Sequence, residues 1–238
     1  MNENPVNGIH VRFVEGLVWG EKALGHACYC QPLPDGAPVD AISAVANDNG
    51  FVPCTAVAKM LGIRPECVIR AVKMCNESGR VTLLPPCERG RADGSGHAAG
   101  PVLLLTPRPR DYRLFDEHAA TALMERVLGA CAEHGFASLR MTQFGMLFRP
   151  LPLHHLRGVR RALENHVPGR VPGERALVFD PNAARPRRDR VPRHAAMEQG
   201  TLFEEVPAPG HFPAEIIFDL DPDDAPELRA VLASGTRP

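Results

Sequence analysis

Between positions 39 and 84 the apolar residues fall into clusters separated by polar or glycine breaks. Val39, Ile42, Val45 and Ala46 recur at three- and four-residue spacing, which predicts a helix stopped by Asn47-Asp48-Asn49-Gly50. Residues 55–61 predict a second, short helix with Val57, Ala58 and Leu61 on its inner face. Gly62-Ile63-Arg64-Pro65 reads as a tight turn, and proline suits the first position of a third helix running from Pro65 to about Glu77. Val68, Val72 and Cys75 form the buried stripe of that helix. Residues 80–84 and 102–105 then predict two short strands around a glycine-rich loop that carries Arg89 and Arg91. No Gly-Lys-Ser/Thr follows the loop, so it is not a P-loop.

The order of Ala58, Leu61, Gly62, Ile63, Val68, Arg70 and Val72 resembles the winged helix-turn-helix superfamily over residues 39–105. Arg64 departs from it, standing where many members place a serine or threonine cap. The resemblance implies that the third helix enters a major groove. Arg70 would then read a base edge, while Arg64 and Lys73 would hold phosphates. Arg89 and Arg91 would reach a phosphate or the minor groove from the wing.

The second half of the chain predicts a helix over residues 120–132, with Leu123, Val127, Leu128 and Cys131 on one face. Another follows over 153–167 and carries Arg157, Arg160 and Arg161. Glu133-His134-Gly135-Phe136 echoes Asp48-Asn49-Gly50-Phe51, and the segment from Leu156 to Arg160 echoes Ile69 to Lys73. Two readings follow: a second winged helix in tandem, or an α+β domain with strands in residues 139–148, 176–179 and 215–220. The expected fold class is therefore α+β. Residues 1–36 form an N-terminal extension and 37–107 the winged helix-turn-helix. Residues 110–182 form the second winged-helix-like or α+β domain. Residues 183–238 form a linker rich in proline and arginine, followed by an acidic segment.

Charge refines this picture little as a total and more as a distribution. The net charge is −1, from 27 basic and 28 acidic residues, so any nucleic-acid surface must be local. Arg187 and Arg188 lie in a basic run between Arg185 and Arg193, and residues 204–227 are acidic. Seven cysteines, an odd number, fit a reducing compartment, and the absence of a secretory pattern or a long apolar run points to the cytoplasm with no membrane contact. His26, Cys28 and Cys30 lack the second ligand pair of a structural zinc site. Asp219, Asp221, Asp223 and Asp224 read as capping residues rather than a cation site, and His154 and His155 read as surface or capping histidines rather than acid–base catalysts. No catalytic residue, metal or cofactor is assigned. The expectation is a non-enzymatic, sequence-specific DNA-binding protein, a regulator or a replication initiator, with duplex DNA as partner and a protein partner or homodimer besides. The alternatives are an RNA-binding or guide-RNA processing subunit of a CRISPR-type ribonucleoprotein, and a protein-interaction module that uses the helix-turn-helix.

Overall fold

The structure is a computed structural model that describes residues 5–15, 39–46, 63–85, 101–109, 114–141, 153–167, 174–180 and 213–220, together with 226 and 229–231. In these residues the strands are β1 (His10–Glu15), β2 (Ala41–Ala46), β3 (Thr82–Leu84), β4 (Val102–Pro107), β5 (Ser138–Met141), β6 (Leu177–Val178) and β7 (Glu215–Leu220). The helices are α1 (Pro65–Ser78), α2 (Glu117–His134) and α3 (Leu153–Asn165). The strands make one sheet in the order β1-β7-β5-β2-β4-β3-β6. The first five of that order are parallel; β3 runs antiparallel to β4, and β6 runs parallel to β3. Strands from all four segments expected from the sequence meet in this sheet.

The sheet is covered on both sides, which is why its central strands show no polar–apolar alternation. Every residue of β2 is buried. Ile42, Ala44 and Ala46 face α1, together with Leu84, Leu103 and Leu105 of the neighbouring strands. Val68, Ala71, Val72 and Cys75 of α1 pack down on them. Ala41, Leu83, Val102, Leu104, Leu139, Met141, Ile216 and Phe218 face the other way, against Leu123, Met124, Val127 and Leu128 of α2 and Leu156, Val159 and Leu163 of α3. Among the described residues the product is a three-layer α/β arrangement, with α1 on one side of a mixed sheet and α2 and α3 on the other.

This architecture overturns the winged helix-turn-helix and the α+β class built on it. The segment expected as the first helix is β2, the strand between β5 and β4. Its apolar residues do recur at helical spacing, but a short run buried on both faces meets a helical template and a strand template equally well. The expected recognition helix exists as α1, ending one residue later than expected, and it lies on a sheet. The expected wing strands are β3 and β4, which pair as a hairpin, but β4 also pairs in parallel with β2 inside the large sheet. The second half is not a repeat of the first. There α2 and α3 pack on each other and on the opposite face of the same sheet. Residues 55–61, the turn at Gly62 and the loop from 86 to 100 lie outside the described residues.

Two close contacts fix α3. A Cβ built on Gly158 would come within 2.5 Å of the Glu117 carbonyl and 2.7 Å of the Ala120 side chain, so only glycine lets α3 approach α2 this closely. At the other end of α3, the Asn7 side chain donates to the carbonyls of Leu163 and Glu164, each at 3.3 Å, and to that of His166. Those groups belong to a helix C-terminus, which leaves carbonyls without intrahelical donors. Asn7 has a φ of 48°, a left-handed conformation that asparagine tolerates better than most residues.

Candidate functional site

The five parallel strands end at one edge of the sheet, and the helices next described after them lie on different faces. After β4 the chain goes to α2, and after β5 it goes to α3, both on the same face. The next described helix after β2, lying between these two strands, is α1 on the opposite face. Where the helices that follow adjacent parallel strands lie on opposite faces, open α/β sheets commonly bind ligands outside the carboxyl ends of those strands.

Asn76, in the last turn of α1, stands at this point. Its side-chain NH2 donates to the carbonyl of Ala46, the last residue of β2, at 2.9 Å. Its side-chain oxygen accepts the Arg108 amide, just past β4, at 3.0 Å. One side-chain amide thus links the ends of β2 and β4, using both of its hydrogen-bonding functions. Asn76 is held in turn by the end of its own helix. Gly79, with a φ of 70°, closes α1 and bonds back to the Cys75 carbonyl at 2.9 Å. Arg126 of α2 donates to the Gly79 carbonyl at 2.8 Å, placing a cation at the negative end of α1.

The other side of this edge is formed where α2 and α3 begin. Asp116 caps α2 by accepting the Ala119 amide at 2.9 Å, and this bond holds its carboxyl below the usual carboxylate range. The Nε2–H of His155, in the first turn of α3, donates to the Phe115 carbonyl just before that cap. The His155 ring also lies edge-on to Phe115, with centroids 4.8 Å apart, and edge-on to His154 at 4.3 Å. His155 is buried, at 3% exposure, and burial holds its imidazole below the ordinary range. The Phe115 bond and Asp116 act against that shift, and His154 adds to it. The first turn of α3 holds no acidic residue, so its positive end is not neutralised from within the helix.

A cation also lies within the sheet itself. Arg140 of β5 is buried at 5% exposure and pairs in register with Ile42 on one side and Ile217 on the other. It therefore sits on the α1 side of the sheet, in the row that continues to Arg12 of β1. Arg12 lies 3.5 Å from Glu215.

Six of the residues expected to bind nucleic acid are described. Arg64 precedes α1 and lies 3.7 Å from Glu66. Arg70 lies over the Phe179 ring, 5.0 Å from its centroid, rather than reaching out from the helix. Lys73 lies 3.7 Å from Glu77. Arg157 is exposed on α3, Arg160 bonds Glu164 at 2.6 Å, and Arg161 lies 3.3 Å from Glu117. Arg89, Arg91, Arg187 and Arg188 lie outside the described residues, as do His26, Cys28 and Cys30. With α1 lying on a sheet, the groove-reading geometry that justified duplex DNA as partner is gone. The RNA-processing and helix-turn-helix interaction readings lose their structural basis with it. Sequence reasoning passed over Asn76, and it took His155 for a surface or capping residue. The available signal for Asn76 was an asparagine three positions before a glycine at the end of a helix. Among the described residues no cluster of three metal-ligating side chains occurs, and no helix is long and apolar enough to cross a membrane.

No protein-family model and no curated protein matches the sequence. Among solved structures, the chain is similar to the macrodomain of Thermus aquaticus DarG, at 15% identity and a TM-score of 0.42, over 72% of this chain and 98% of that one. It is also similar to a mutant of the Oceanobacillus iheyensis macrodomain, at 13% identity and a TM-score of 0.45, over 76% of this chain and 89% of that one. Both are named as macrodomains, and neither as a winged helix.

Proposed function

We propose that this chain binds a small phosphate-bearing ligand of the nucleotide class at the carboxyl edge of the sheet, where β2 meets β4. The observation that carries the reading is the switch of faces at β2: the next described helix after it, α1, lies on one face of the sheet, and those next described after both neighbouring strands, α2 and α3, lie on the other. Asn76 supports it by fixing the ends of β2 and β4 across that point. The positive end of α3 at the same edge supports a ligand that carries phosphate. Cytoplasmic residence belongs to the same proposal, because Cys67, Cys75 and Cys131 are buried thiols not joined in disulfides, as a reducing compartment keeps them.

Calorimetric titration with inorganic phosphate, adenosine, AMP, ADP and ADP-ribose tests the reading. Phosphorylated nucleosides should bind more tightly than adenosine or phosphate alone. At a concentration of about 100 times Kd, a bound nucleotide should stabilise the fold by about 2.7 kcal/mol. Absence of binding by every phosphorylated probe at millimolar concentration contradicts it.

A further inference from the structure

We propose that Asn7 is a site of slow self-modification: the Gly8 nitrogen displaces its side-chain nitrogen as ammonia, and the acid that results unfastens the N-terminal turn from the end of α3. Asn7 lies where β1 begins and α3 ends, at the edge of the sheet opposite the carboxyl ends of β2 and β4. The reaction therefore involves no ligand of that other edge.

The backbone explains why this dipeptide stands here. Val6 and Ile9 exchange two backbone hydrogen bonds of 2.9 Å around Asn7 and Gly8, whose φ values are 48° and 81°. Both central residues of this two-residue hairpin loop are left-handed, the arrangement that favours Asn-Gly. Gly8 has no side chain to crowd an approach to its nitrogen. Asn7 and Gly8 are exposed, so water reaches both. The same asparagine is the fastener. Its side-chain NH2 donates to the carbonyls of Leu163 and Glu164, each at 3.3 Å, and to that of His166. Ile9 is buried, and β1 starts at the next residue.

In the reaction the Gly8 nitrogen attacks Cγ of Asn7 and closes a cyclic imide. The bond from Cγ to the side-chain nitrogen breaks, and that nitrogen leaves as ammonia with the proton that Gly8 gives up. Water then opens the imide at either carbonyl. One opening gives aspartate; the other gives isoaspartate, whose main chain runs through Cβ. No electrons change hands, and water is the sole co-reactant.

The fold slows this reaction and is weakened by it. The nitrogen that departs is the one held by three carbonyls, so those bonds must be released before ammonia leaves. The folded chain therefore reacts only from an opened turn. Afterwards the position carries a carboxylate, which at neutral pH only accepts hydrogen bonds, as the carbonyls do. Its charge also meets the negative end of α3. Isoaspartate further adds an atom to the main chain of a loop fitted between Val6 and Ile9. Both products lose the fastening, and neither returns to asparagine.

Incubation of the full chain at mildly alkaline pH, folded and in guanidinium chloride, followed by peptide mass spectrometry, tests the proposal. Asn7 should convert in both states, about tenfold or more slowly when folded, because the three bonds must open first. Equal rates in the two states, or a folded chain in which no converted Asn7 appears, overturns it. In Asn7→Asp, hydrogen-exchange protection of residues 9–11 and 163–166 should fall by about tenfold or more while that of α1 stays level. Protection equal to the parent's overturns it. Should that variant fail to fold, aged wild type makes the same comparison, with converted and unconverted chains separated by ion exchange. The converted chains should melt at lower temperature, and equal melting temperatures overturn the proposal.

Discussion

Asn76 and Gly158 each do what no substitute can do in the same space. Replacing Asn76 with aspartate keeps an acceptor for the Arg108 amide but sets a carboxylate oxygen against the Ala46 carbonyl, which needs a donor. Asn76→Asp should destabilise the fold by about 1–3 kcal/mol, the cost of a buried group left without its partner. Denaturant midpoints of the two proteins measure this, and equal midpoints would show that the bridge between the strand ends carries no energy. Gly158→Ala places a methyl where backbone already stands, so α3 must back away from α2. Overpacking of this kind costs about 1–3 kcal/mol. An alanine variant as stable as the parent would mean that the two helices yield freely there. The partners of neither residue were legible in the sequence, because an asparagine near a helix end and a glycine within a helix carry no sign of what they meet across the fold.

Elements were legible in proportion to how local their signals are. The start of α1 followed from Pro65, and its buried stripe from the spacing of Val68, Val72 and Cys75. The apolar face of α2 and the strand at β7 were likewise visible. The strand β2 was not, because burial on both faces erases the alternation that marks a strand. At the start of α2, the capped Asp116 carboxyl is held below its ordinary range of about 3.8. Its contribution is therefore present at neutral pH and lost as pH falls through and below that range. Helical content read by circular dichroism should show this acid-dependent loss in the wild type, and Asp116→Ala should remove that component of the profile. An unchanged profile would assign the acid response to other carboxyls. Cys131, buried in α2 and pushed up by burial and by Asp40, should resist alkylation in the native state and react only on unfolding. Rapid labelling of native Cys131 would show that α2 opens far more readily than its packing implies.

The whole molecule depends on pairings between distant parts of the chain. His10 pairs with Glu215, at nearly opposite ends of the sequence, and β7 stands between β1 and β5. Local periodicity is blind to such pairings, so the sheet that unites the strands stayed hidden although several of its strands were foreseen. The candidate site was hidden for the same reason, since it exists only where α1 lies on one face and α2 and α3 on the other. A chain ending at residue 212 lacks β7, whose Ile216, Ile217 and Phe218 are all buried. At about 1.5–3 kcal/mol for each such side chain, the loss rivals the whole stability of a typical domain, about 5–15 kcal/mol. The shortened chain should be unfolded by circular dichroism, and a cooperative melt from it would mean that the sheet survives without one of its inner strands.

The central claim, a ligand seated at the divergence of β2 from its neighbours, is tested most directly by mapping amide shifts on titration with the tightest-binding nucleotide. The largest changes should fall at Ala46, at the Asn76 side-chain amide and at Arg108, with smaller ones where α2 and α3 begin. Changes centred instead on the opposite edge, at Asp40, Gly135 and Ser138, would contradict the account.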